Sequence, residues 1–314
     1  MRTARRLPSA RPTRRRRTRP LSQQESRAGL ALISPTLVIV VVVVVVPIAW
    51  TVLIAFQRLR LINLRRSGIF GQPTLRNFEQ VLTSDELWDA MATTVLYTVA
   101  STVLSIGVGL VAALAVRRPF RGRALVRASM LLPYVAPVVA VTFVWEVMLN
   151  PQFGIVNDWG IRFLGWDQGQ PFLSQPRTAL ATVIAFETWR YFPFAFLFLL
   201  ARLQAVPGDL EEAARVDGAA PTQVFRYIVL PQLMPVIAVL SVLRAIFTFN
   251  KFDDIYLLTG GGAGTEVVAV RVFDLLTAQG NIGAAAALAV VLAVILAVLV
   301  GVYTRMLNRR EEAR

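Results

Sequence analysis

The residues of this sequence with chemical reach stand inside apolar stretches. Glu187, Thr188, Trp189, Arg190, Tyr191, Phe192, Pro193 and Phe194 run consecutively through one such stretch, and Arg244, Thr248, Asn250 and Lys251 close another. An ionisable or amide group inside an apolar segment is expensive, and marks either a solute pathway or a paired structural site. Glu187 and Arg190 are three residues apart, on one helical face, so a local ion pair that neutralises both is the structural reading. The binding reading starts from Trp189, Tyr191 and Phe194, whose flat rings lie beside Arg190. Rings next to hydrogen-bonding groups suit a molecule with hydroxyls and flat C–H faces, such as a sugar. Arg244 and Lys251 add two cations, which fit a phosphorylated or acidic sugar, while Lys251 also has the length to snorkel outward. Asp253 and Asp254 form a carboxylate pair that general acid–base chemistry uses. No second catalytic group accompanies them, so a turn or gate is expected there, followed by a flexible loop at Gly260 to Gly264.

Missing residues exclude further chemistry. The 314 residues contain no His and no Cys, which removes an imidazole base, a thiolate nucleophile, a disulfide and the usual N/S zinc site. Lys251 is the sole lysine and follows Thr-Phe-Asn, so no glycine-rich phosphate loop ending in Lys exists. A nucleotide that drives this chain must bind to another one.

These residues need a membrane-embedded scaffold to hold them. Hydrophobic residues make up 55% of the chain and charged ones only 17%, against roughly 25% charged in soluble domains. Leu30 to Phe56 holds 27 residues without a charge, enough for a span that needs roughly 20. It is too long for the apolar core of a cleaved signal peptide. Further segments of spanning length run at about 92–116, 126–149, 178–201, 228–250 and 283–306. The predicted fold is therefore an all-α integral membrane protein with six transmembrane helices. Pro47, Pro133, Pro137, Pro193, Pro231 and Pro235 lie within these spans and are expected to kink them.

Charge sets the direction. Ten of the arginines fall in residues 1–27 against the single Glu25, which places +9 of the net +14 in one tail. Residues 1–29 are expected to form a disordered cytoplasmic tail that is held inside and attracted to anionic lipid, and no nucleic-acid binding is expected. With both termini cytoplasmic, inner stretches carry 22 Lys+Arg and outer stretches nine, although Arg58, Arg60, Arg65 and Arg66 sit on the outer side. Residues 30–308 make the six-helix domain, and 309–314 a short cytoplasmic C-terminal tail. The outer loop from Asn150 to Arg177, with Trp159, Trp166 and Phe172, is long enough to meet an external partner, and its aromatics equally suit an interfacial belt. Trp145 and Glu146 read either as an interfacial anchor or as path lining.

The most specific stretch is the inner loop 207–231. Asp209 can cap a short helix whose first turn carries Glu211 and Glu212, favourable at a helix N-terminus, and Gly218 stops it. Pro221 suits the start of a second helix. Such a hairpin either lies in the headgroups or, through Leu210, Ala213, Ala214 and Val216, offers a close-approach surface to a partner.

Glu212-Ala213-Ala214, three residues, Gly218, nine residues, then Ile228-Val229-Leu230-Pro231 fills every position of the E-A-A-x3-G-x9-I-x-L-P pattern. This loop resembles the EAA loop of ABC-importer permeases. Leu203 to Pro207, Phe249 to Gly262, Asn77-Phe78 and Asn150 to Gly154 are similar to the carbohydrate-importing branch, with its maltose-type and glycerol-phosphate-type members. The similarity covers roughly 30–308. It implies the type I ABC importer permease fold, with Glu212, Ala213, Ala214, Asp217 and Gly218 forming the coupling helix that seats in an ATP-hydrolysing subunit. It also implies that Tyr191, Phe194, Arg244, Thr248 and Lys251 line the solute path, joining Trp189, Arg190 and Asn250 read from their chemistry. Arg244, Thr248 and Lys251 replace small or amide residues common in maltose-type members.

The resemblance further implies a transport subunit of a bacterial plasma membrane rather than an enzyme, binding no cofactor itself. ATP and Mg would sit on two partner ATPase subunits, a second homologous permease would complete the pore, and an external solute-binding protein would deliver a sugar. The enteric maltose-type relatives carry extra N-terminal helices and a large external domain, so shorter six-helix relatives are the better comparison. Importers of a polyol or glycerol phosphodiester are the nearest alternative. A carrier driven by an ion gradient also fits six spans, but leaves the loop without a purpose and shows no pair of inverted repeats.

Overall fold

The computed structural model describes residues 23–64 and 72–312, with side chains at 32–64 and 72–305. Expectations placed on residues 1–22, on Arg65 and Arg66, and on side chains beyond 305 lie outside these. The described residues are helical apart from turns, loops and one isolated bridge between Gln57 and Pro73. The chain divides into a short unit ending at Thr51 and a large unit from Val52.

Helix α1 (Gln23–Val40) runs through a wider π turn at Val41–Val45 into α2 (Val46–Ala55). The Val46 N–H reaches back five residues to Val41, and the next residue is Pro47. The same device recurs later, where the Leu230 N–H bonds to Phe225 just before Pro231. A proline has no N–H, and its ring crowds the carbonyl four residues back. Widening the preceding turn removes that clash while keeping the helix unbroken.

In the large unit, α3 (Arg76–Leu82) precedes the long α4 (Asp85–Ala115). Asn77 from α3 donates to the carbonyls of Ala55 and Gln57 at 2.9 and 2.8 Å, satisfying backbone that the end of α2 leaves open. Helix α8 (Pro176–Gln204) packs along α4 as the central pair. Gly109 permits their close approach, since a Cβ there would lie 2.8 Å from both Ala195 Cβ and the Phe196 nitrogen. Around this contact Ile106, Ala113, Phe196, Leu199, Leu233 and Leu240 form one apolar core.

The expected third span is not one helix. It is α5 (Arg123–Val135) and α6 (Val138–Met148), bent by 96°. Ala136 is extended, with ψ of 141°, because a residue before proline is pushed out of the helical region. A kink was expected at Pro137, and a full break is found. The outer loop then folds into α7 (Ile155–Leu164), with Trp166 lying so close over Gly160 that any side chain there would clash.

After α8 come α9 (Gly208–Val216), α10 (Pro221–Val224) and, through the second π turn, α11 (Leu230–Phe249), so that Pro221 to Phe249 is one continuous helix of 29 residues. Two short helices, α12 (Asp253–Thr259) and α13 (Val268–Thr277), lead into the long α14 (Ile282–Glu312). Among the described residues, five helices have the length and apolarity to cross a membrane, and the bent α5–α6 pair makes six. The expected count holds on that reading.

Candidate functional site

The loop pattern at 207–231 folds largely as its residues dictate. Gly218 adopts φ of +83°, and the N–H groups of Ala219 and Gly218 donate to the carbonyls of Ala214 and Arg215 at 2.9 and 3.1 Å. This is the Schellman closure, and its left-handed residue favours glycine. Pro221 starts the next helix as expected, with the Gln223 side chain accepting the Ala220 N–H at 2.7 Å. The start of α9 differs from expectation. Pro207 holds the cap position, no side chain caps the helix, and Asp209 falls inside the first turn. The two glutamates also part: Glu211 is buried and Glu212 exposed. Ala213, Val216, Asp217 and Gly218 are exposed with Glu212, and Ala214 is half-buried, so the pattern residues form a surface.

The second group lies where α8, α11 and α12 meet. Continuous helix carries Glu187 and Tyr191 on one turn of α8, and Arg244 and Thr248 on one turn of α11. Arg244 donates to Glu187 Oε1 at 2.7 Å, and the Thr248 hydroxyl lies 3.4 Å from the same oxygen. The expected local pair of Glu187 with Arg190 is therefore replaced by a pairing between helices. Arg190 turns instead to Asp254, at 3.9 Å. Lys251 does not snorkel outward: it donates to the Tyr191 hydroxyl at 2.5 Å and pairs with Asp253 and Asp254 at 3.0 and 3.3 Å. Asp254 is fully buried at the start of α12. Burial first, then the neighbouring Glu187, pushes its carboxyl up to about 8 against the pull of Lys251.

Tyr191 is the hub of this group. The charged ends of Arg244, Lys251 and Arg190 stand 4.4, 4.6 and 5.6 Å from its ring centre, within cation–π range. Tyr134, carried by α5 two residues before the break, meets Tyr191 edge-on at 5.8 Å and Phe194 at 6.1 Å. Together Tyr134, Glu187, Tyr191, Phe194, Arg244, Phe247 and Lys251 line a cavity of about 310 Å³. Its wall mixes four aromatic rings with a carboxylate and two cations. Glu187 Oε2 and Arg244 Nε are themselves buried, and Glu187 also meets Tyr97 and Asp254.

Of the eight residues predicted to touch solute, Tyr191, Phe194, Arg244 and Lys251 line this cavity, and Thr248 and Arg190 stand behind its wall. Trp189 does not: it packs with Trp145 and Phe186 at 5.5 and 6.1 Å inside an apolar cluster. Trp145 is half-buried and packs against the same cluster. Asn250 bonds back to the Ile246 carbonyl and faces a different groove, between α11, α13 and α14. Sequence reasoning missed Tyr134 and Phe247. Tyr134 had one signal, a tyrosine between two prolines in an apolar segment.

Residues 105–312 match the family described as the inner membrane component of binding-protein-dependent transport systems. The chain belongs to this family. The permease is 35% identical to the inner membrane ABC transporter permease protein YcjO of Escherichia coli (strain K12), over 83% of this chain and 88% of that one. It is 33% identical to the trehalose/maltose transport system permease protein MalF of Thermococcus litoralis, over 92% and 96% of the two chains. In fold it is similar to a chain of a bacterial alginate ABC transporter solved with an alginate pentasaccharide-bound periplasmic protein, with a TM-score of 0.78, 23% identity, and 92% and 97% of the two chains covered. The expected all-α permease fold is thus found, and the permease is a transport component.

Proposed function

We propose that this permease forms half of the membrane path of an ATP-driven importer, and that the cavity around Tyr191 passes a sugar delivered by an external binding protein. A second, homologous permease completes the path, and two separate ATPase subunits, holding ATP and Mg, dock on α9 at the cytoplasmic face. The arginine excess on the inner stretches supports both termini inside.

One observation carries the mechanism. The helix that leaves the α9 loop at Pro221 is the helix that ends at the cavity, with Arg244 and Phe247 on its wall. Its 29 residues span about 43 Å at 1.5 Å each. A push on the exposed residues from Glu212 to Gly218 is carried along this rod to the cavity wall.

Relatives named for trehalose, maltose and galactooligosaccharides support a carbohydrate as the solute. The walls favour a neutral sugar over the acidic one that two cations suggest. An acidic solute would compete with Glu187 for Arg244 and with Asp253 for Lys251. A polyol or glycerol phosphodiester is the second reading, supported by a relative named for glycerol-3-phosphate transport, 34% identical over 69% of this chain.

The test is ATP hydrolysis by the co-purified complex in lipid, with its binding protein and maltose, trehalose, glycerol 3-phosphate and an alginate oligosaccharide as probes. Stimulation by a neutral sugar, lost in both Glu212→Ala and Gly218→Pro, is the expected result. Absence of any co-purifying ATPase, or uptake that persists unchanged in both variants without ATP, would overturn the reading.

A further inference from the structure

Glu211 is the one buried residue of α9, at 7% exposure in a loop whose neighbours face outward. Its carboxylate is held through Oε1 by Arg117 and through Oε2 by Arg215 at 3.3 Å. Arg215 belongs to the same helix, so that bond only orients the glutamate. Arg117 comes from elsewhere: it follows the last turn of α4, at the start of the turn leading to α5.

That turn is itself braced. Arg123 donates to the Val116 and Arg117 carbonyls at 2.8 and 2.9 Å, and Arg127 donates to Val116 at 3.2 Å. These bonds satisfy orphan carbonyls at the end of α4 and fasten them to the first two turns of α5. Val116 is buried in the same core as Leu203 and Val229. The end of α4, the start of α5 and α9 are therefore joined by directional bonds, with the Arg117–Glu211 pair as the link to α9.

We propose that the Arg117–Glu211 ion pair is a positioning link that makes α5 move with α9 when the ATPase engages it, a proposal that rests on α9 as the docking helix. The consequence is geometric. The far end of α5 carries Tyr134, which lines the same cavity as Arg244 and Phe247 and meets Tyr191 at 5.8 Å between ring centres. One push on α9 then reaches the cavity by two routes, through α11 to Arg244 and through Arg117 and α5 to Tyr134. The break at Ala136–Pro137 lets α5 shift without dragging α6. Apolar packing would give cohesion here without direction, whereas an ion pair between fixed partners holds one register.

The permease has no native cysteine, which suits a spin-label test in the full complex with ATPase and binding protein. Labels at Asp209→Cys on α9 and Phe120→Cys in the braced turn report whether the two segments move together. With Arg117 in place, the distance between labels is expected to be the same in the nucleotide-free and ATP–vanadate-trapped complexes. Arg117→Gln is expected to shift it by about 2 Å or more between the two states, and to lower binding-protein-stimulated hydrolysis several-fold while basal hydrolysis persists. The exchange of charges, Arg117→Glu with Glu211→Arg, should restore a state-independent distance, which a merely unfolded variant could not do. A distance that differs between states with Arg117 present, or stays constant in Arg117→Gln, overturns the link while leaving the importer reading intact. A permease that captures no ATPase overturns the docking reading and the link with it.

Discussion

Arg244 and Glu187 show what a charged side chain does inside an apolar bundle. Each is almost fully buried, at 2% and 0% exposure, and each is the other's main partner. Removing one leaves an uncompensated buried charge, which costs roughly 3–5 kcal/mol. Arg244→Leu is therefore expected to lower the thermal midpoint of the purified permease sharply, and Arg244→Leu with Glu187→Leu to recover much of the loss. Equal midpoints in the single and double variants would mean that the pair is not coupled. Asp254 makes a different prediction. Its carboxyl is raised to about 8, against about 3.9 in an unfolded chain. Between those values the folded state holds the extra proton, so its contribution to stability is complete below about pH 4 and is lost as pH rises towards 8. Midpoints measured from pH 5 to pH 9 should fall with rising pH, and Asp254→Asn should flatten that slope. The residue types at both places were legible in the sequence. Their partners were not, because Arg190 stands three residues from Glu187 on the same helix yet pairs with Asp254 from α12, while Glu187 takes Arg244, 57 positions away.

At the scale of elements, prolines and glycines explain most of what departs from a straight bundle. Pro47 and Pro231 are absorbed by π turns, and the helix continues past them. Pro137 follows an extended Ala136 and breaks the span. The difference is whether the residue before proline stays helical, as Val46 and Leu230 do, and sequence does not announce it. Because the break ends α5 just beyond Tyr134, straightening it should move that ring. Pro137→Ala is expected to leave stability unchanged or raised, since it restores a backbone donor, and to reduce solute uptake several-fold. Uptake at the native level would show that the break has no part in shaping the cavity. Gly218 is the opposite case, a position legible in advance, since a stop glycine between two helices calls for the left-handed region it occupies.

At the scale of the whole molecule, the permease is arranged so that a surface at one end and a cavity further along share a continuous helix and a braced pair. By itself the sequence determined the membrane class, the number of spans and the two-helix loop at 207–231. These follow from hydropathy, charge bias and local turn chemistry, all properties of neighbours along the chain. Only the tertiary structure decided that Tyr134 and Phe247 close the cavity while Trp189 and Asn250 turn away, because a helix shows several faces and packing selects one. It also decided that Glu211, rather than Glu212, is the glutamate held inside, since Arg117 reaches it across 94 residues. Contacts between residues distant in the chain depend on how helices cross, and helix crossing is set by close packing such as that at Gly109, not by any local pattern.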